Sequence, residues 1–127
     1  MAEDKDKRYT KEEERINAMS HAVGIVGGII VGALFLAKGH EVGLDGWGIA
    51  SIWLYIFGML ASYVFSTAYH ACSPSSKWKR RLRKLDHSAI YWHIAGSYSP
   101  IVLIALRNVD FWGWGIFIFC WLCAIAG

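Results

Sequence analysis

The sequence predicts an all-α fold, a polytopic helical membrane protein, and three observations carry that prediction. Apolar residues make up 55% of the 127, and seven of them are Trp. Four apolar runs, at about 19–37, 47–71, 87–106 and 111–127, approach the ~20 residues needed to cross a ~30 Å hydrocarbon core. The connections left between these runs are short, which suits neighbouring spans better than a soluble domain around one core.

The N-terminal tail, 1–18, leads into helix one. Up to Ile16 it holds Lys5, Lys7, Arg8, Lys11 and Arg15 against six acids. It lacks the short basic start and small-residue cleavage site of a secretory signal. Thr10-Lys11-Glu12-Glu13 fits a capping box, so a helix is expected to begin near Thr10 and run into the first span. Gly24, Gly27, Gly28 and Gly32 offer that span a smooth face for close approach of a neighbour.

The connection at 38–46 is glycine-rich, with one basic residue and an exposed His40 to which no role is given. Span two opens with Trp47 and Trp53 as interfacial anchors and closes at Tyr69-His70-Ala71 before the helix-breaking Ser73-Pro74. A loop at 73–85 then carries Lys77, Lys79, Arg80, Arg81, Arg83 and Lys84. Six cations beside a span read as a topology signal facing anionic head groups, not as a nucleic-acid patch. Span three starts at Asp86-His87 and contains His93, Ser97 and Ser99 before Pro100. A very short turn holding Arg107 and Asp110 leads to the fourth run, which stops at Gly127 with no polar flank. The expectation is a chain cut within its fourth span, the N-terminal portion of a longer protein.

Counting Lys and Arg by side gives five in the tail and six in the second connection, against one in each of the others. The positive-inside rule therefore predicts a cytoplasmic N-terminus and a cytoplasmic 73–85 loop. On that topology the polar residues converge. Glu13, Asn17 and His21 (i, i+4, i+8), Ser66 and His70 (i, i+4), and Asp86 and His93 (i, i+7) all fall at the cytoplasmic ends of their helices. Ionisable groups within spans are costly and mark functional sites. Each has a plainer reading: Glu13 as the cap partner of Thr10, Asp86 as a cap of helix three, and His87 as an interfacial residue. Cys72 sits at the membrane edge. Cys120-Trp121-Leu122-Cys123 lacks the solvent access a redox pair needs, so buried structural thiols are expected.

Taken together, Glu13-x3-Asn17-x3-His21, Ser66-x3-His70, the basic stretch, Asp86, and Gly96-Ser97-Tyr98-Ser99-Pro100 resemble the haemolysin III branch of the progestin and adipoQ receptor family, from about Glu12 onward. The resemblance implies seven helices in the full-length protein, a cytoplasmic N-terminus and a zinc ion near the cytoplasmic face. It implies His70 as one zinc ligand, Asp86 as the partner of the metal-bound water and Ser66 in the same site. Glu13, Asn17 and His21 would form a second layer around it. The family draws two further ligands from a His-x3-His pair in its last helix. The histidines here are 21, 40, 70, 87 and 93, none four apart, which agrees with a truncated chain. The expected function is a zinc-dependent hydrolase of a lipid amide or ester, with membrane lipids as partners, no nucleic acid, and a bacterial inner membrane as its place. A non-enzymatic receptor or membrane-homeostasis protein with a structural zinc is the alternative. A haem protein using facing histidines is a further rival, which the family motifs disfavour.

Overall fold

The computed structural model describes residues 9–127; the tail's Lys5, Lys7 and Arg8 lie outside the described residues. Four helices follow in order, α1 (Lys11–Glu41), α2 (Gly46–Ala71), α3 (Trp78–Pro100) and α4 (Trp112–Ala126). All four expected apolar runs are helical, as befits a helical membrane protein, whose backbone polar groups must be satisfied within each span. By length and apolarity α1 and α2 are each able to cross a membrane. Short connections make sequence neighbours antiparallel.

The capping box forms as expected. Thr10 Oγ1 accepts from the Glu13 N–H at 3.2 Å, and the Glu13 carboxylate accepts from the Thr10 N–H at 2.7 Å. Helix α1 runs further than the apolar run, through Glu41, so His40 is exposed in a last helical turn rather than in a loop. Glycine at position 43, with φ +73°, then turns the chain, and Asp45 caps α2 by accepting from the Gly48 N–H at 3.0 Å.

Glycines set how closely the helices approach. An added Cβ at Gly24 would meet the Tyr63 ring at 2.9 Å, and at Gly32 the Ile56 Cγ1 at 2.9 Å. Gly28 lies against Met59 and Leu60. Gly27, expected on the same face, has open space around it, because one residue from Gly28 is about 100° around the helix. The α2–α3 contact is tighter still, for there glycine meets backbone. Gly58 lies under the Trp92 carbonyl, and Gly96 under that of Leu54.

The basic stretch is not a loop. Only Cys72 to Lys77 is non-helical, and α3 begins at Trp78, so five of the six cations lie in its first two turns. Lys and Arg are good helix formers, and no Gly or Pro follows Pro74 until Gly96. At its far end α3 passes through Pro100 into a π-helical turn, Ile101–Ala105. Proline there withholds the N–H that would close the preceding turn. Trp121 of α4 donates from Nε1 to Ser99 Oγ at 2.9 Å, tying the last helix to α3. The thiols depart from expectation: Cys120 is half-buried and Cys123 exposed. Helix α4 packs mainly on α3 and its π turn, and much of its surface, Phe119, Leu122 and Ile125 included, is exposed.

At the bundle end holding the first and third connections, Arg107 makes a two-pronged pair with Asp45, at 2.9 and 2.5 Å. That guanidinium holds the Asp45 carboxyl below the usual carboxylate range, and the carboxylate raises Arg107. Trp47 and Trp114 meet edge to face at 4.8 Å beside it.

Candidate functional site at the opposite end of the bundle

The other end gathers the start of α1, the end of α2 and the start of α3. Antiparallel pairing of α1 and α2 brings His21 level with Ser66, and His21 Nδ1 is hydrogen-bonded to Ser66 Oγ across 45 residues of sequence. Ser66 is buried, 6% exposed, and His70, one turn on, is 9% exposed. The two imidazoles stand edge to face, centroids 6.0 Å apart. Tyr63 continues the row, 6.2 Å from His21 and 5.9 Å from His93. His21, Ser66, His70 and His93 are thus brought into one polar strip between apolar helix faces.

His70 is held by a residue that motif spacing overlooked. Its Nδ1 donates to Glu14 Oε2 at 3.0 Å. The same carboxylate accepts from Lys79 Nζ, at 3.2 Å to each oxygen. Lys79 also donates to the Tyr69 and Cys72 carbonyls at the end of α2, at 2.5 and 3.3 Å, and lies over the Tyr69 ring. A cation among the last carbonyls of a helix suits the negative end of its dipole.

Helical geometry could have found Glu14. Eight residues separate Glu13 from His21, a rotation about 80° away from the same face, whereas Glu14 at i−7 is only about 20° away. Glu13 instead points to the cap and is exposed. Asn17 is half-buried, and its backbone carbonyl accepts from Ser20. In the sequence Lys79 is one charge in a run, and nothing local marks it out.

The Asp86 side chain is 16% exposed and lies 3.8 Å from the His87 ring, which itself donates to the Arg83 carbonyl. No hydrogen bond or ion pair joins Asp86 to His70 or Ser66 among the described residues. Nor do those residues gather three or more His, Cys, Asp or Glu groups that could hold a metal ion. A cleft of about 370 Å³ opens beside His70 and Glu14, lined also by Tyr9, Lys11, Arg15 and Met19. Such an arrangement can bind a polar head group, present an imidazole to a ligand and relay a proton between His21 and Ser66.

Comparison with known proteins adds the family context. The family model described as haemolysin-III related matches residues 9–127. The chain is 32% identical to the hemolysin-3 homolog of Bacillus subtilis over 119 residues, 94% of this chain and 54% of that protein. It is 33% identical to hemolysin-3 of Bacillus cereus, over 91% of this chain and 51% of the relative. The human monocyte to macrophage differentiation factor is 32% identical over 91% of the chain and 48% of its own length. The chain therefore spans about half the length of the curated relatives it matches. No solved structure matches it.

Proposed function

The chain belongs to the haemolysin-III-related family, and from that premise we propose that the full-length protein is a metal-dependent membrane hydrolase acting on a lipid amide or ester. The observation that carries the reading is the strip of half-buried His21 with buried Ser66 and His70 at one end of an otherwise apolar bundle, beside a cleft. Polar groups placed so expensively in a membrane protein mark a site of function. The charge count supports a cytoplasmic place for this end and for the N-terminus, and the similarity to the Bacillus proteins supports a bacterial inner membrane.

The residues of this chain do not by themselves fit a zinc ion, since the described ones bring no three ligating groups together. We therefore assign His70 as one ligand, with the others supplied by parts of the protein outside this chain. Zinc, when bound, would act as a Lewis acid and lower the pKa of a bound water. In this reading Asp86 would accept a hydrogen bond from a water and take its proton, and Ser66 would hydrogen-bond that water or a substrate oxygen. Asn17 and His21 support that layer, and Glu13 keeps its place at the helix start.

That no hydrogen bond or ion pair joins Asp86 to His70 among the described residues favours a second reading, a receptor or membrane-homeostasis protein in which zinc fastens helices together without turnover. Zinc content of purified full-length protein tests the shared premise. Stoichiometric zinc is expected in the wild type and in Asp86→Ala, with loss in His70→Ala. Unchanged zinc in His70→Ala removes the metal assignment. Hydrolysis of lipid amides or esters by the purified protein, lost in Asp86→Ala, then separates enzyme from receptor.

A further inference from the structure

His70 is buried and has two ring nitrogens, and which one it offers outward is a matter of what holds the other. We propose that Glu14 and Lys79 are positioning residues for His70: Glu14 fixes its tautomer and ring orientation, and Lys79 fixes Glu14. Three helices meet in this one cluster, with Glu14 near the start of α1, His70 in the last turn of α2 and Lys79 in the first turn of α3. Their side chains are 14%, 8% and 16% exposed.

A carboxylate accepts hydrogen bonds, so in the 3.0 Å contact the His70 Nδ1–H is the donor. With Nδ1 engaged in this way, Nε2 is the ring nitrogen left to meet a ligand. A carboxylate on the far nitrogen is the arrangement that holds a ligating histidine in one tautomer and strengthens its basicity. Glu14 would be a costly lone charge at this depth, and Lys79 balances it through both oxygens. The Lys79 ammonium has three protons to give, and the Tyr69 and Cys72 carbonyls anchor it as well. Its position is therefore set by the end of α2 whether or not Glu14 is present, whereas Glu14 depends on it. His70 is in this way presented by helix three as much as by its own helix.

The consequence for metal binding rests on the reading of His70 as a ligand, but the tautomer does not. Nitrogen-15 NMR of histidine-labelled full-length protein in nanodiscs reads the tautomer directly. His70 is expected with its proton on Nδ1 in the wild type and in Glu14→Gln, whose amide oxygen still accepts. Glu14→Ala should shift it toward the Nε2-protonated form, and Lys79→Met should broaden or split its signals. Wild-type His70 carrying its proton on Nε2 alone overturns the proposal, and so does an unchanged tautomer in Glu14→Ala. Because the wild-type spectrum alone can refute it, a variant that fails to fold does not shelter the idea. Zinc affinity measured on the same samples should fall roughly 10- to 100-fold in Glu14→Ala. A correct tautomer with no zinc in any sample defeats the metal reading and leaves the positioning role standing.

Discussion

Replacing Gly58 by alanine tests whether backbone contact sets the α2–α3 distance. An added Cβ would land against the Trp92 carbonyl oxygen, with the Trp92 carbonyl carbon at 2.9 Å and His93 Cα at 3.0 Å. Carbon atoms prefer separations of about 3.5–4.0 Å, so the shortfall is on the order of 0.5–1 Å. All three obstructing atoms are main chain and cannot swing aside, so the helices must part. A gap of that size forfeits a quarter to a half of each dispersion contact along the interface, and overpacking of this kind costs about 1–3 kcal/mol. Helix propensity acts the other way, favouring Ala over Gly by about 1 kcal/mol. Gly27→Ala supplies the control, because it gains the same propensity with nothing near its Cβ. The two variants should therefore differ by about 1–3 kcal/mol, Gly58→Ala being the less stable. Unfolding of the purified protein by SDS in mixed micelles, followed by helical circular dichroism, measures the difference. Coincident curves for the two variants would refute the reasoning, as would a Gly58→Ala protein more stable than Gly27→Ala.

Two further outcomes follow from the polar ties. The Asp45 carboxyl is held below the usual carboxylate range by Arg107, so the pair's contribution is present above about pH 4 and is lost as pH falls through the lowered value. Near-UV circular dichroism, sensitive to the neighbouring Trp47–Trp114 contact, should change in that acid window for the wild type and stay flat for Asp45→Asn; matching acid profiles would count against the pair. Ser99→Ala takes away the acceptor of Trp121 Nε1 and should destabilise the protein by about 0.5–1.5 kcal/mol in the same SDS assay, whereas no loss would mean that the indole finds another partner.

Much of the fold was legible because helices in membranes are local objects. Apolar runs, the Thr10–Glu13 capping box and the Ser73-Pro74 break all depend on residues within a few positions of one another, and each appears as read. The end of the bundle at which His21, Ser66 and His70 meet was also legible, since antiparallel spans bring alternate ends together. The basic stretch is helical where a loop is expected, because charge marks the edge of a span but Lys and Arg continue a helix well. Glu14 escapes the Glu13-x3-Asn17-x3-His21 pattern because an i, i+4, i+8 series drifts by about 80°, whereas i−7 from His21 stays within about 20°.

By itself, then, the sequence determined that this is a helical membrane protein with its polar side chains crowded at one end and its basic charge beside them. Only the tertiary structure decided which side chains touch: Glu14 on His70, Lys79 on Glu14, Arg107 on Asp45, Gly58 under Trp92. The physical reason is that hydropathy and helical period fix depth and face within one helix. The rotation and axial offset between helices are fixed by which glycines let a neighbour's atoms come close, and that follows from packing all four together.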